Sequence, residues 1–276
     1  MANLVLSVSN ASAGLAFDAT SLDMSSILLQ PLTAVGSGVL SWTDTMPTFT
    51  ETITMHGTGL VPVTSGGNLI DVTGGHLTSV DVHITIGSVI LDAKYTGLIA
   101  DAAHFFDLAF ANNAKGLVAY AMRGDDRIVG SSASDIINGY AGSDVIHGGS
   151  GNDTITGGAG HDNLTGGLGT DHFVFTDGAD ASASDLITDF SSGTDPAGRD
   201  HIDLSHIGFA GLGPVGVMTA SHFSMNVAQS SLATVIWHQT TGALGYDADG
   251  TGAGLEVIFA QIPSNRVVHF FDFDVI

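Results

Sequence analysis

The sequence predicts a mainly β chain organised around a stack of very short strands. Three observations carry that expectation. Between Ala121 and Val174 an aspartate recurs every nine residues, at Asp126, Asp135, Asp144, Asp153, Asp162 and Asp171. Two places after each aspartate stands a large apolar residue: Ile128, Ile137, Ile146, Ile155, Leu164 and Phe173. On both flanks, apolar and polar residues alternate between glycine-rich punctuation, which is the period of strands.

Aligned as nonapeptides, the units read AMRGDDRIV, GSSASDIIN, GYAGSDVIH, GGSGNDTIT, GGAGHDNLT and GGLGTDHFV. Glycine fills the first place in five units, the second in three and the fourth in five. A half-unit this rich in glycine can bend sharply and present backbone carbonyls that side chains would otherwise obstruct. The other half is a short strand whose eighth-place residue points inward, so that successive strands build a thin apolar ladder. The aspartates then line the turns. Carboxylate and carbonyl oxygens converging at about 2.3–2.6 Å are the hard ligands that Ca²⁺ prefers, whereas structural zinc or copper calls for sulfur or clustered imidazole. A flexible linker would not place a large aliphatic residue every nine positions. A metal-free stack would leave its aspartates repelling one another, with no Lys or Arg between Ile128 and Phe175 to neutralise them.

These units resemble the glycine- and aspartate-rich repeats of the RTX, or haemolysin-type calcium-binding, family over residues 121–174. The resemblance implies a parallel β-roll in which two nonapeptides make one turn. It places calcium between Asp126, Asp144 and Asp162 on one edge and between Asp135, Asp153 and Asp171 on the other, roughly four ions in all. The carbonyls of Gly148, Ser150, Gly151, Gly157, Ala159, Gly160, Gly166, Leu168 and Gly169 complete the implied ligand set. The best-formed sites pair Asp144 with Asp162 and Asp153 with Asp171. Earlier units depart from the pattern, with Ser131 and Ala133 in place of glycine and Tyr140 at a second place.

Four segments are expected around this run. Residues 1–97 form a β-rich, sandwich-like module, in which Thr48–Met55 and Ser79–Leu91 show strand alternation. Residues 98–122 form a helical cap, with Ile99, Ala102, Ala103, Phe106, Ala109 and Phe110 on one face. The roll itself occupies 123–175. A C-terminal β module covers 176–276, with strands near Val235–His238 and Val257–Ile262. Its segments 185–205 and 241–262 resemble the module that follows the repeats in serralysin-type metallopeptidases. Asp247 and Asp249 resemble the opening of an EF-hand loop, but the loop-closing glutamate is missing, which favours a tight turn.

Composition narrows the function. Six Lys and Arg stand against 28 Asp and Glu, a formal charge of −22, which argues against nucleic acid and anionic membranes as partners. Only Glu51 and Glu256 are glutamate, so the acid is aspartate suited to turns and ligands. Without cysteine, thiol catalysis and disulfides are excluded. The start shows no secretory leader and no run is apolar enough to span a bilayer as a helix. Sites of this kind need calcium at up to about millimolar levels to fill, so an extracellular location is expected. The resemblance implies export from a Gram-negative bacterium by type I secretion machinery, directed by an uncleaved C-terminal signal, here the tail NRVVHFFDFDVI.

Catalytic signatures are missing. There is no H-E-x-x-H and no G-x-S-x-G. His76, His83, His147, His161 and His172 share no repeat position, and they read as surface or turn residues. Asp71, Asp81, Asp92, Asp101 and Asp107 offer carboxylates without singling out a pair, and Trp42 reads as core. The expected function is therefore a secreted, calcium-binding, non-enzymatic protein whose N-terminal module binds a surface glycan or protein. The alternatives are a carboxylate-based glycan hydrolase within residues 1–97, or a membrane-active toxin.

Overall fold

The computed structural model describes residues 3–9, 34–36, 39–45, 50–58, 62–65, 68–72, 76–86, 89–101, 123–179, 182–192 and 198–276. The chain divides into two compact units, Met1–Ala133 and Ser134–Ile276.

The N-terminal unit contains β1 (Asn3–Ser9), β2 (Ala34–Gly36), β3 (Val39–Thr45), β4 (Thr50–Thr58), β5 (Pro62–Ser65), β6 (Asn68–Val72), β7 (His76–Ile86), β8 (Val89–Asp101) and β9 (Arg127–Val129). Period-two sequences give antiparallel pairing in the order β2-β3-β4-β7-β8-β1, a meander whose longest pair is β7 with β8. β5 and β6 form a separate hairpin. One join was not legible beforehand: β1 lies parallel to β9, with Leu4 opposite Ile128, so the first nonapeptide is tied to the N-terminal strand. The helical cap needs correcting at its start. β8 runs on to Asp101 because it keeps pairing with β7, where His76 lies opposite Asp101. The remainder, residues 102–122, lies outside the described residues.

The C-terminal unit contains β10 (Ile136–Asn138), β11 (Val145–Ser150), β12 (Thr154–Thr156), β13 (Asn163–Leu168), β14 (His172–Phe175), β15 (Asp185–Ile187), β16 (His201–Leu204), β17 (Gly216–Val217), β18 (Phe223–Met225), β19 (Thr234–His238), β20 (Ala243–Asp247), β21 (Val257–Gln261) and β22 (Phe273–Val275). Alternate nonapeptides enter opposite sheets. β10, β12, β14, β16 and β22 stack in parallel on one side, and β11, β13, β15 and β21 on the other. This is a β-roll. Its register is 18 residues: Ile137 lies opposite Ile155 and Ile146 opposite Leu164.

The eighth-place residues fill the space between the sheets. Ile137, Ile146, Ile155, Leu164 and Phe173 are all buried, the most exposed at 3%. The stack outlasts the nonapeptides, because Ile187 follows Leu164 and Ile202 then Phe273 follow Phe173. Downstream, β21, β20 and β19 turn antiparallel. Phe259 there meets Phe175 and Phe209 edge-on, with centroids 5.2 and 5.0 Å away, and Tyr246 donates to the Ala210 carbonyl. This aromatic plug closes an end that a simple repeat would leave open. The tail belongs to the same core, since Phe273 and Val275 are buried.

Glycine is required where turns stack. Gly160 has φ +131°, and a β-carbon there would collide with the Gly142 carbonyl one turn earlier. Tyr140 takes the left-handed conformation at φ 69° without being glycine, and its N–H donates to Asn138 Oδ1 at 2.8 Å.

Replacing Ile155 by alanine removes a fully buried rung between Ile137 and Phe173 and should cost about 2–5 kcal/mol. The same change at Ile136, which is half exposed, should stay within about 0.5 kcal/mol. Urea unfolding of both variants in saturating calcium checks the contrast.

Candidate metal centre

Each sixth-place aspartate stands immediately before a strand, and from Asp135 onward its side chain is carried into the edge of the roll. Asp126, Asp135, Asp144, Asp153, Asp162 and Asp171 are all buried, none more than 3% exposed. Carboxylates this deep need a specific reason. Half of it is visible in the hydrogen bonds. Asp153 Oδ1 accepts the Asp135 N–H at 2.8 Å, Asp162 Oδ1 that of Asp144 at 2.8 Å, and Asp171 Oδ1 that of Asp153 at 2.9 Å. Every such bond spans 18 residues, one full turn. One oxygen of each carboxylate therefore staples a turn to the turn before it.

The other oxygen is the informative one. Oδ2 of Asp153, Asp162 and Asp171 is buried and makes no hydrogen bond. Above each lies a first-place glycine. A β-carbon on Gly148 would fall onto Asp153 Oδ2 and 2.6 Å from the Gly166 carbonyl, and β-carbons on Gly157 and Gly166 would fall onto Asp162 Oδ2 and Asp171 Oδ2. Each cradle is thus closed to side chains by its aspartate, and at Gly148 a carboxylate oxygen and the Gly166 carbonyl line it together. An all-oxygen donor set with unsatisfied negative charge fits calcium and does not suit a thiophilic metal.

The carbonyl candidates fall in the same turns. Gly148 and Ser150 lie in β11, and Gly166 and Leu168 in β13. Gly151, Gly160 and Gly169 take positive φ. The Ala159 and Leu168 carbonyls accept the N–H of Gly142 and Gly151 at 2.8 Å, each leaving a second lone pair. Gly157 faces Asp162.

Two ligand-type aspartates escaped the nine-residue period. Asp185 Oδ1 accepts the Asp162 N–H at 3.0 Å, and Asp200 Oδ1 accepts that of Asp171 at 3.1 Å. They continue the two ladders, one through Asp144, Asp162 and Asp185, the other through Asp135, Asp153, Asp171 and Asp200. The signal was present in the triplets Asp185-Leu186-Ile187 and Asp200-His201-Ile202, which keep the aspartate and the inward apolar residue while the intervening loop changes length. Asp189 adds a further device: its two oxygens accept the N–H groups of Gly166 and Gly167 at 3.0 and 2.9 Å. The Asp247 and Asp249 segment forms a turn, as its sequence suggested, with both Asp249 oxygens accepting the Gly254 N–H.

Burial dominates the electrostatics. Loss of water pushes the Asp153 carboxyl up to about 7, against backbone hydrogen bonding that lowers it and with Asp171 and Asp135 raising it further. Asp185 is pushed up to about 8 and Asp200 to about 7, again chiefly by burial. Asp162 and Asp171 shift upward for the same first reason. In the metal-free roll these groups hold protons more tightly than in the unfolded chain. The roll is therefore favoured below the ordinary carboxylate range, and that advantage is lost as pH rises through about 7–8.

Two measurements test this geometry. In chelator, the β signal in far-UV circular dichroism should grow as pH falls from about 8 to about 5.5, and calcium should flatten that dependence. Gly148→Ala should lower the number of calcium ions bound per chain and move the folding midpoint to higher calcium, whereas Gly124→Ala, which has open space around its would-be β-carbon, should do neither. Equilibrium dialysis reads both.

A family model agrees with this chemistry. The family model described as RTX calcium-binding nonapeptide repeat (4 copies) matches residues 120–155, 138–173 and 147–181. Among solved structures, the solution structure of the AlgE6R3 subunit from the Azotobacter vinelandii mannuronan C5-epimerase is similar at 28% identity and a TM-score of 0.34, covering 51% of this chain and 72% of that one. The AlgE6R2 subunit from the same enzyme is similar at 28% identity and a TM-score of 0.37, covering 54% and 87%. No curated protein matches the chain. Residues 120–181 are a run of RTX calcium-binding nonapeptide repeats, and calcium is the ion such repeats bind.

Proposed function

We propose that this is an extracellular protein whose roll folds when calcium is supplied, exported through type I secretion machinery by a Gram-negative bacterium, with a non-enzymatic N-terminal module that binds a surface glycan or protein. One observation carries the reading: buried aspartates spend one oxygen on the backbone of the previous turn and leave the other unpaired, at Asp153, Asp162 and Asp171. Such a roll is self-opposed at neutral pH without a dication. It is self-consistent with one.

Asp126, Asp135, Asp144, Asp153, Asp162 and Asp171 are the proposed carboxylate ligands, with carbonyls of the glycine turns, and Asp185 and Asp200 extend the set. When bound, calcium supplies positive charge between turns. The chain does the rest: Oδ1 fixes the spacing of turns, the glycines keep side chains out of the cradle, and the Ile and Phe ladder gives the collapsed state its core. Linkage sets the scale. Calcium at 100-fold over Kd adds about 2.7 kcal/mol per independent site, so a few sites decide whether this region is folded.

The same balance suits export. In low calcium the acidic turns repel, which keeps the roll open for passage; outside the cell it condenses. The C-terminal tail, in this reading, serves first as the export signal and then as strand β22 of the finished fold. Among the described residues no helix is long and apolar enough to cross a membrane.

A calcium titration of the full chain from a chelated start, following circular dichroism and bound calcium together, tests the proposal. The expected result is one cooperative rise in β signal with roughly four or more ions bound. Asp185→Asn should reduce the ion count and shift the midpoint upward. A flat signal with no bound calcium would overturn the reading.

A further inference from the structure

The outer face of the sheet formed by β10, β12, β14, β16, β22 and β17 carries a different constellation. Strand alternation creates it. Phe173 and Phe175 of β14, Ile202 and Leu204 of β16, and Phe273 and Val275 of β22 point into the core. Their neighbours His172, His201, Asp203 and Asp274 must then face outward. Register sets them side by side, with His172 opposite His201 and Asp203 opposite Asp274. The two imidazoles stack at 4.9 Å with 13° between planes. The sequence reading of His172 as an isolated surface or turn residue misses this, because its partners lie 29, 31 and 102 residues further on.

The hydrogen bonds run along the diagonals. His172 Nδ1 meets Asp203 Oδ2 at 2.9 Å and Oδ1 at 3.1 Å. His201 Nδ1 donates to Asp274 Oδ2 at 2.7 Å, and Arg199 Nη2 reaches His201 Nε2 at 3.4 Å. Both nitrogens of His201 are thereby engaged, which casts it as the residue that orients Asp274. One ligand atom each from His172, Asp203 and Asp274 lie within 4.8 Å of one another. Asp203 is buried and the other two are half-buried.

We propose that His172, Asp203 and Asp274 form a second metal site, for a divalent first-row transition ion such as zinc, with His201 positioning Asp274. The chemistry differs from that of the calcium cradles. An imidazole with two carboxylates is a donor set for zinc, nickel or copper, whereas the cradles offer oxygen alone. Zinc takes nitrogen at about 2.0–2.1 Å and carboxylate oxygen at about 2.0–2.2 Å, so the three atoms need to draw together by about an ångström or less. Two carboxylates balance the charge of the dication. For Nδ1 of His172 to bind the ion its hydrogen must go: the imidazolium gives it up to buffer, and the neutral ring carries its one proton on Nε2 instead. His172 is 37% exposed, which leaves an approach from solvent and a fourth position for water. The carboxylate held by a second histidine is the outer-shell arrangement that orients metal ligands.

The test is a zinc titration of the full chain in saturating calcium, by calorimetry, with calcium counted in parallel. The expected result is one zinc per chain at this site that excess calcium does not displace. His172→Gln and Asp274→Asn should each weaken it by about 10–100-fold while the calcium count stays unchanged. Zinc uptake identical in the variants, zinc displaced one for one by calcium, or no uptake would each overturn the site. If the variants fail to fold in calcium, wild-type histidine resonances decide. Cobalt must broaden His172 and His201 first, and broadening spread equally over His147, His161 and His206 would overturn the proposal.

Discussion

Everything in the C-terminal unit hangs on a single contact, a carboxylate Oδ1 accepting the backbone N–H of the aspartate one turn earlier. It recurs from Asp153 to Asp135, from Asp162 to Asp144 and from Asp171 to Asp153, and it outlives the repeat through Asp185 and Asp200. Because the bond joins equivalent positions of successive turns, it fixes the 18-residue register as firmly as the strand ladder does. A serine or asparagine could accept the same N–H. What aspartate adds is a second oxygen carrying charge, and no Lys or Arg stands between Ile128 and Phe175 to offset it. The geometry that holds the turns together is the geometry that makes them need an ion.

Glycine serves the same constraint from the other side. At Gly148, Gly157 and Gly166 a β-carbon would occupy the space beside the free oxygen. Earlier units relax the rule, and the structure shows how. Tyr140 adopts the left-handed conformation that a second-place glycine would take, with Asn138 holding its N–H. Ser131 Oγ accepts the Ala133 N–H at 3.1 Å, a local turn built by a side chain where the glycines are missing. The imperfect units thus keep the path of the chain by different means.

The strict period made the roll legible. Nine residues, an aspartate and an inward aliphatic are enough to show short stacked strands with acidic turns, and the resemblance those residues carry implies the parallel roll with two units to a turn that the structure has. Legibility ended where period ended. Asp185 and Asp200 hold the same places as Asp162 and Asp171, but loops of unequal length break the count, and only the D-x-apolar triplet survives. The pairing of β1 with β9 left no local trace, because parallel partners separated by more than 100 residues are chosen by the sheet edge available and not by a turn. The His172, His201, Asp203 and Asp274 cluster was invisible for a related reason. Four outward residues on three strands become neighbours only after the inward ones have set the stack.

Magnitudes explain why this fold is poised and not simply stable. A buried aliphatic rung contributes about 1.5–3 kcal/mol. Two carboxylates one strand spacing apart, about 4.8 Å, repel by about 3 kcal/mol at an effective dielectric near 20. Each nonapeptide adds one of each, so the gain from the ladder of Ile155 and Phe173 is of the same size as the penalty from Asp153 beside Asp171. Adding hydrophobic rungs alone would not tip the balance, since every rung brings another aspartate. Protons or a dication do tip it, and the protons leave as pH rises through about 7–8. A repeat of this design therefore couples length to metal dependence: the longer the roll, the more its stability becomes a property of the calcium around it.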